Sequence, residues 1–178
     1  MVSEDIERRR EEFLLIMREH GKKSPAEIVA SVSETQAALL EVFSSVPEAQ
    51  AVRRPAPDES CLQELAEHAV FTERLIGKLV HYVARSSMPP AEDLEGAGLG
   101  MMPTHAARPY AEIMEDLQRV NAALLSAIEN LPKEPDREMK VPHPFFGPLN
   151  CLEWAGFQRV HDLDHVQHAE KILAVVRG

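Results

Sequence analysis

Four long segments of the chain carry helical signals and are separated by proline-containing loops, and this pattern restricts the fold more than any other feature. Within each segment the apolar residues recur at spacings of three and four, as in a helix with one buried face. No segment alternates as a strand does. The four segments are residues 24–46, 60–85, 109–131 and 150–177, and a short charged segment, 4–20, precedes them.

Helix caps support these boundaries. Asn150 lies three residues before Glu153, and Ser60 lies three residues before Gln63, so both pairs match the capping-box spacing. The second segment also has a sustained apolar seam, which predicts that one side of this helix is buried along its whole length. The seam residues are Leu62, Leu65, Ala69, Thr72, Ile76, Leu79 and Val83.

The sequence therefore predicts an all-α fold, a four-helix bundle with a short extra N-terminal helix, in a single domain over residues 1–178. The connections 86–108 and 132–149 are longer than helix hairpins need. One of them is expected to cross the bundle and leave two neighbouring helices parallel. The N-terminal helix is expected either to pack across the bundle or to contribute to a dimer.

Charge and composition exclude several classes of partner. The formal net charge is −10, which opposes binding to nucleic acid because such binding requires an excess of Lys and Arg. No apolar run is long enough to span a membrane, and the charged N-terminus does not resemble a secretory signal. With only two cysteines, we expect reduced thiols, a cytoplasmic location and no membrane contact.

Three histidines in the last segment share one face of the predicted helix. His161, His165 and His168 stand at i, i+4 and i+7, which places them within about 60° of one another. Gln158 and several apolar residues lie on the same arc, so the histidines are predicted to face the core. These apolar residues are Trp154, Phe157, Ile172, Val175 and Val176.

Buried imidazoles without partners are unfavourable by roughly 1–3 kcal/mol each, and a bound metal ion removes this penalty. A histidine pair at i and i+4 can supply two ligands. His68, beside the apolar seam, is the best candidate for the third ligand. Three imidazoles with the remaining positions open are typical of catalytic rather than structural zinc. Considered alone, His68 is also consistent with a structural histidine at the edge of the core that is hydrogen-bonded to a backbone carbonyl or a carboxylate.

Other interpretations of HDLDHVQH fit less well. An aspartate replaces the glutamate base of HExxH proteases, and the two Glu-x-x-His motifs of di-iron bundles are absent. Asp162 and Asp164 either orient ligand histidines or are simply solvated, and Asp164 is also a candidate catalytic residue. The remaining histidines, His20, His81, His105 and His143, are interpreted as surface residues.

Two stretches of the sequence resemble the DinB/YfiT-like superfamily, namely ELAEHAVFTERLI around His68 and EWAGFQRVHDLDHVQHAEKIL around His161 and His165. The resemblance extends from about Ser24 to Arg177. It implies a four-helix bundle with a three-histidine metal site formed by the same three residues. His168 stands where the family often has glutamine. It is either a fourth ligand or, as we favour, an acid or base beside the site.

The resemblance implies a metalloenzyme with one divalent ion per chain, zinc or nickel, with iron as a further option. Family members with assigned activities resemble thiol S-transferases, metal-dependent hydrolases or isomerases. We therefore expect the site to activate water or a thiol on a small substrate, with a low-molecular-weight thiol as a candidate partner. The two long connections, with Trp154, Phe145 and Phe146, are expected to close the pocket.

Two alternatives remain open. The chain is a metal-binding or stress-response module without catalysis, or it is a structural helical bundle in which the histidines bond one another. We expect a homodimer, since dimers are the commonest assemblies of bundles. The residues do not distinguish among metals, because imidazole accepts zinc, nickel, iron and copper. They also leave the reaction open.

Overall fold

The helical pattern of the sequence becomes a bundle with one small hairpin. A computed structural model describes residues 4–92 and 108–177. Its helices are α1 (Glu4–His20), α2 (Pro25–Ser44), α3 (Glu48–Ala51), α4 (Leu62–Val83), α5 (Tyr110–Glu129) and α6 (Cys151–Val176). Its strands are β1 (Val141–His143) and β2 (Gly147–Leu149). The predicted all-α class and four-helix bundle are confirmed. His105 lies outside the described residues.

Helices α2, α4, α5 and α6 form the bundle, in which both α2 and α4 pack against α5 and α6. Helices α4 and α5 run in the same direction, as the hydrogen bonds at their ends show. Gln63 at the start of α4 donates to the carbonyl of Arg108, just before α5. Arg85, just after α4, donates to the carbonyl of Asn130, just after α5. The predicted parallel pair is therefore present.

The caps agree with the sequence at one helix and differ by one residue at another. Asn150 accepts the amides of Leu152 and Glu153 at 3.0 Å each, as predicted for the start of α6. Helix α4 instead begins after Cys61, whose amide donates to Glu64 at 3.0 Å. The prediction of a Ser60–Gln63 box was wrong because Glu64 can accept that amide while Gln63 turns to the chain before α5.

The N-terminal helix α1 packs across the bundle against α6. Met17 is fully buried in this contact, and its carbonyl lies only 3.2 Å from where a Cβ on Gly156 would be. Glycine at position 156 therefore allows the two helices to approach closely. Of the two roles predicted for α1, packing across the bundle is the one observed.

A short antiparallel hairpin precedes α6, although the sequence showed no strand pattern. Strands β1 and β2 have three residues each and pair His143 with Gly147 across the turn. Gly147 has a φ of +78°, a conformation that L side chains rarely adopt. Strands this short show too few alternations for a period of two to be recognised.

The core of the bundle consists of two apolar clusters separated by polar residues. One cluster surrounds Met17 and Trp154, and the other surrounds Phe43 and Leu65. Between them, every helix of the bundle contributes buried polar side chains, which we call the polar layer. Its members are Thr35, Gln36, His68, Thr72, Glu73, Asn121, Gln158, Asp162 and His165, with His161 at its edge. Among the described helices, none has the length and apolarity needed to cross a membrane.

Candidate metal centre

Helices α4 and α6 bring His68, His161 and His165 together at one side of the polar layer. One ring nitrogen of each lies within 4.8 Å of those of the other two. The shortest separation joins Nε2 of His68 and Nε2 of His161, at 3.3 Å. The rings of His161 and His165 have centroids 4.0 Å apart. Two neighbouring turns of α6 and one turn of α4 therefore place three imidazoles around a common point.

The chemistry of these nitrogens fits a divalent metal ion. Both ring nitrogens of His165 are buried and have no hydrogen-bond partner among the described residues. Two nitrogens that each lie about 2.0–2.1 Å from a tetrahedral zinc are about 3.3 Å apart, which matches the separation of His68 and His161. A buried nitrogen without a proton donor or acceptor is unfavourable, and coordination provides the missing interaction.

Electrostatics keep the cluster uncharged at neutral pH. Burial, with smaller contributions from His68 and His168, lowers the pKa of His165 to about 3. Burial and the neighbouring histidines also lower the pKa of His161 well below its usual value. Since a metal binds only the unprotonated nitrogen, these low pKa values mean that few protons must be displaced before an ion binds.

The two other candidates from the sequence lie at the edge of this cluster. His168 is half-buried and close enough to His165 to affect its pKa. Asp164 is exposed to solvent and makes no hydrogen bond to the cluster among the described residues. Val175 was also predicted to lie on the buried arc of the last helix. Its side chain is instead 57% exposed, because it lies near the end of α6.

Asp162 is not solvated, so that alternative was wrong, and its hydrogen bonds among the described residues go to side chains other than the histidines. It is completely buried and accepts from Thr35 at 3.0 Å and from Gln158 at 2.5 Å. The same Gln158 amide donates to Glu73 at 3.0 Å. Asp162 therefore belongs to a buried network that lies beside the cluster.

Glu73 is the centre of this network and was missed in the sequence. Its carboxyl accepts from Gln36 at 3.0 Å and from Asn121 at 3.2 Å, with the Asn121 amide nitrogen facing the carboxyl. Burial and the adjacent Asp162 raise the pKa of Glu73 well above its usual value. Since two buried carboxylates repel each other, we infer that Glu73 holds the proton of the pair at neutral pH. Its position, four residues after Ala69 and three before Ile76, was a signal that it faces the core.

Two histidines interpreted as surface residues are buried. His20 bonds Ser31 at 2.5 Å where α1 meets α2, and burial lowers its pKa to about 4. His143 is 9% exposed and packs against the rings of Trp154 and Phe157. The interpretation failed because a helix end and a hairpin become interior when another element covers them. His81, in contrast, is exposed as expected.

A cavity among the described residues lies elsewhere in the bundle. It has a volume of about 340 Å³ and lies between α4 and α5, with Gly77 and Leu124 in its apolar wall and Arg74 at its edge. None of the three clustered histidines lines it. Trp154 was predicted to take part in the pocket, but its side chain is completely buried. Phe145 is 44% exposed.

Comparison with known proteins settles the family. The sequence profile of the DinB superfamily matches residues 31–169, which include all four bundle helices in whole or large part and all three clustered histidines. The chain belongs to the DinB superfamily. The resemblance noted in the sequence is thereby confirmed. No curated protein matches the chain.

Solved structures confirm the fold of this DinB protein. One is TT2238, described as a four-helix bundle protein, with a TM-score of 0.55 and 21% identity, covering 82% of this chain and 99% of TT2238. Another is a point mutant of a mycothiol-dependent maleylpyruvate isomerase, with a TM-score of 0.62 and 12% identity. That alignment covers 80% of this chain and 60% of the isomerase. At these identities the likeness shows a shared fold.

Proposed function

We propose that this DinB protein is a metal-dependent enzyme in which His68, His161 and His165 hold one divalent ion, zinc or nickel, with iron as a further option. The observation that carries the proposal is the meeting of three imidazoles from two helices, two of them buried, with both nitrogens of His165 lacking hydrogen-bond partners among the described residues. A purely structural cluster would be expected to satisfy these nitrogens with hydrogen bonds.

The reaction we propose is activation of water or of a small thiol. A divalent ion in such a site lowers the pKa of a bound water or thiol, which provides a nucleophile near neutral pH. The histidines of the chain hold the ion, and the half-buried position of His161 leaves the cluster accessible from one side. The likeness to a mycothiol-dependent isomerase favours a low-molecular-weight thiol as substrate or co-substrate.

Metal content of the purified protein tests the site. After incubation with zinc or nickel and dialysis, we expect about one ion per chain in the wild type. His161→Ala should lower the affinity by more than about 100-fold, since even losing a group that merely orients a ligand lowers it by about 10- to 100-fold. His81→Ala is the matched control, because it removes an exposed histidine from α4. Equal metal content in all three proteins would exclude the proposed ligands.

The cobalt-substituted protein separates an enzyme from a module that only holds metal. A new sulfur-to-cobalt absorption band on addition of N-acetylcysteine is the expected result, because an open coordination position accepts a thiolate. A four-coordinate spectrum that does not respond to the thiol would contradict the enzyme proposal. The homodimer remains a prediction, which light scattering can test.

A further inference from the structure

His143 lies at the start of the hairpin turn, and its ring has a defined orientation. Its Nδ1 accepts the backbone amides of Phe145 at 3.0 Å and Phe146 at 3.2 Å. A nitrogen that accepts two hydrogen bonds carries no proton, so the neutral ring has its proton on Nε2. The turn therefore fixes the tautomer of His143.

The fixed ring lies beside the three-histidine cluster. Phe157 contacts both rings, with centroid distances of 4.7 Å to His143 and 5.3 Å to His161. Among the described residues, both hydrogen bonds to this ring go to Nδ1. A donor with a defined proton position is thus separated from His161 by the single ring of Phe157.

We propose that Nε2–H of His143 donates a hydrogen bond to an anionic ligand bound at the cluster of His68, His161 and His165. This inference rests on the proposed function, and it adds a binding residue from the hairpin to the ligands from α4 and α6. A fixed donor of this kind stabilises negative charge without reorganisation when the ligand arrives. Because burial lowers the pKa of His143 to about 4, the ring is a neutral donor at pH 7.

A purely structural role for His143 is the competing explanation, since its Nδ1 also stabilises the turn. The two roles can be separated by His143→Asn. The Asn side-chain oxygen can accept the amides two and three residues ahead, as in an Asx turn, so the hairpin keeps its acceptor. The shorter side chain has no group that reaches the position of Nε2. This variant therefore removes the donor and retains the turn.

Azide binding to the cobalt-loaded protein provides the test, because azide is a small anion that does not require the natural substrate. We expect His143→Asn to retain one cobalt per chain and to remain folded at the assay temperature, with a lower thermal stability because the shorter side chain leaves a cavity beside Trp154 and Phe157. Its Kd for azide, measured from the cobalt absorption, should increase about tenfold, as expected for losing one hydrogen bond to a charged ligand. Nitrogen-15 NMR of the wild type should show the Nε2–H tautomer of His143.

The outcomes distinguish this inference from the proposed function. If the variant retains cobalt and its azide Kd stays within about twofold of the wild type, His143 is structural and the metal site stands. An Nδ1–H tautomer would also overturn the inference. A wild type that takes up no cobalt would contradict the proposed function. The role proposed for His143 would then be contradicted as well, because it requires a ligand bound at the cluster. Loss of cobalt by the variant would mean that His143 supports the cluster itself, which also contradicts a role limited to the bound anion.

Discussion

At the scale of single residues, the buried carboxyl of Glu73 is the most unusual feature of the core. Three side-chain amides and Asp162 surround it, and in the part of the chain that the structure describes no cation lies among its hydrogen-bond partners. The folded protein therefore keeps Glu73 protonated at a pH where the unfolded chain releases the proton. A raised folded pKa means that stability is lost as pH rises above the unfolded value of about 4.5.

Replacing Glu73 by Gln should remove this pH-dependent loss. The amide nitrogen can donate to Asp162 as the protonated carboxyl does, but it cannot accept from Gln36 or Gln158 as a carboxyl oxygen does. We therefore expect the variant to stay within about 1 kcal/mol of the wild type at pH 8 and to lose less stability than the wild type between pH 5 and pH 8. Glu73→Leu should lower the unfolding free energy by about 2–3 kcal/mol, because the amides of Gln36 and Gln158 lose their acceptor. Urea unfolding at pH 5 and pH 8 measures both effects. A Gln variant that loses as much stability between pH 5 and pH 8 as the wild type would mean that Glu73 is not the source of this pH dependence.

The histidine cluster and the carboxyl network differ in how far the sequence predicted them. His161 and His165 were identified because a helical wheel places polar residues on an apolar arc. Glu73 and Asp162 satisfy the same geometric test, since Asp162 is four residues after Gln158 and three before His165. Glu73 was overlooked, and Asp162 was assigned either to the ligand histidines or to solvent, because acidic residues are usually solvated. The amides that donate hydrogen bonds to these carboxyls are brought to them by contacts between α2, α4, α5 and α6. A single sequence does not specify such contacts.

At the scale of the elements, α1 connects the bundle to the hairpin. Arg10 donates to the carbonyl of Phe145 at 2.7 Å, and the rings of Phe13 and Phe146 have centroids 6.3 Å apart. One turn further on, Met17 is buried against α6. The same helix thus supports both the start of α6 and the turn that orients His143.

Met17→Ala should destabilise the protein by about 2–5 kcal/mol, because it leaves a cavity in a fully buried site. Leu15→Ala is a suitable control, since this side chain lies on the same helix and is 61% exposed. We expect that change to stay within about 0.5 kcal/mol of the wild type. Chemical denaturation of the two variants provides the measurement. Similar losses of unfolding free energy in the two variants would mean that α1 packs on the bundle through a face other than the one that carries Met17.

The helices were predicted more accurately than the hairpin for a physical reason. A helix of twenty residues repeats its apolar period several times and carries caps such as Asn150, so local sequence specifies it. Each strand of the hairpin has three residues, and its turn depends on a side-chain acceptor, His143, and a left-handed glycine, Gly147. A histidine or a glycine in the sequence does not identify a hairpin unless the residues that it contacts are known.

At the scale of the whole molecule, buried histidines and buried carboxyls give opposite pH dependences. Burial lowers the pKa of His20 and His143 to about 4 and that of His165 to about 3. A folded pKa below the unfolded value of about 6.5 means that stability is complete above pH 6.5 and is lost as pH falls. Because the buried histidines outnumber the two carboxyls, we expect the metal-free protein to lose stability on acidification.

The prediction can be tested with His20→Gln, at a site remote from the cluster. The unfolding free energy of the wild type should fall between pH 7.5 and 5, and the variant should reduce the slope by up to about 1.4 kcal/mol per pH unit. His81→Gln, at the exposed histidine of α4, should leave the slope unchanged. A wild type that gains stability on acidification would show that the carboxyls dominate.

The polar layer also restricts how the four helices can be aligned along the bundle. Leu, Ile and Val form apolar seams that tolerate displacement by one turn, about 5.4 Å, with modest loss. The same displacement of α4 would bring Glu73 opposite one of the apolar clusters and separate it from Gln36, Gln158 and Asn121. Each buried polar group that loses its partner in this way, the Glu73 carboxyl and the three amides alike, is unfavourable by about 1–3 kcal/mol. The layer thus selects one alignment among several that the apolar clusters alone would accept, and the position that brings the three histidines together is part of that alignment.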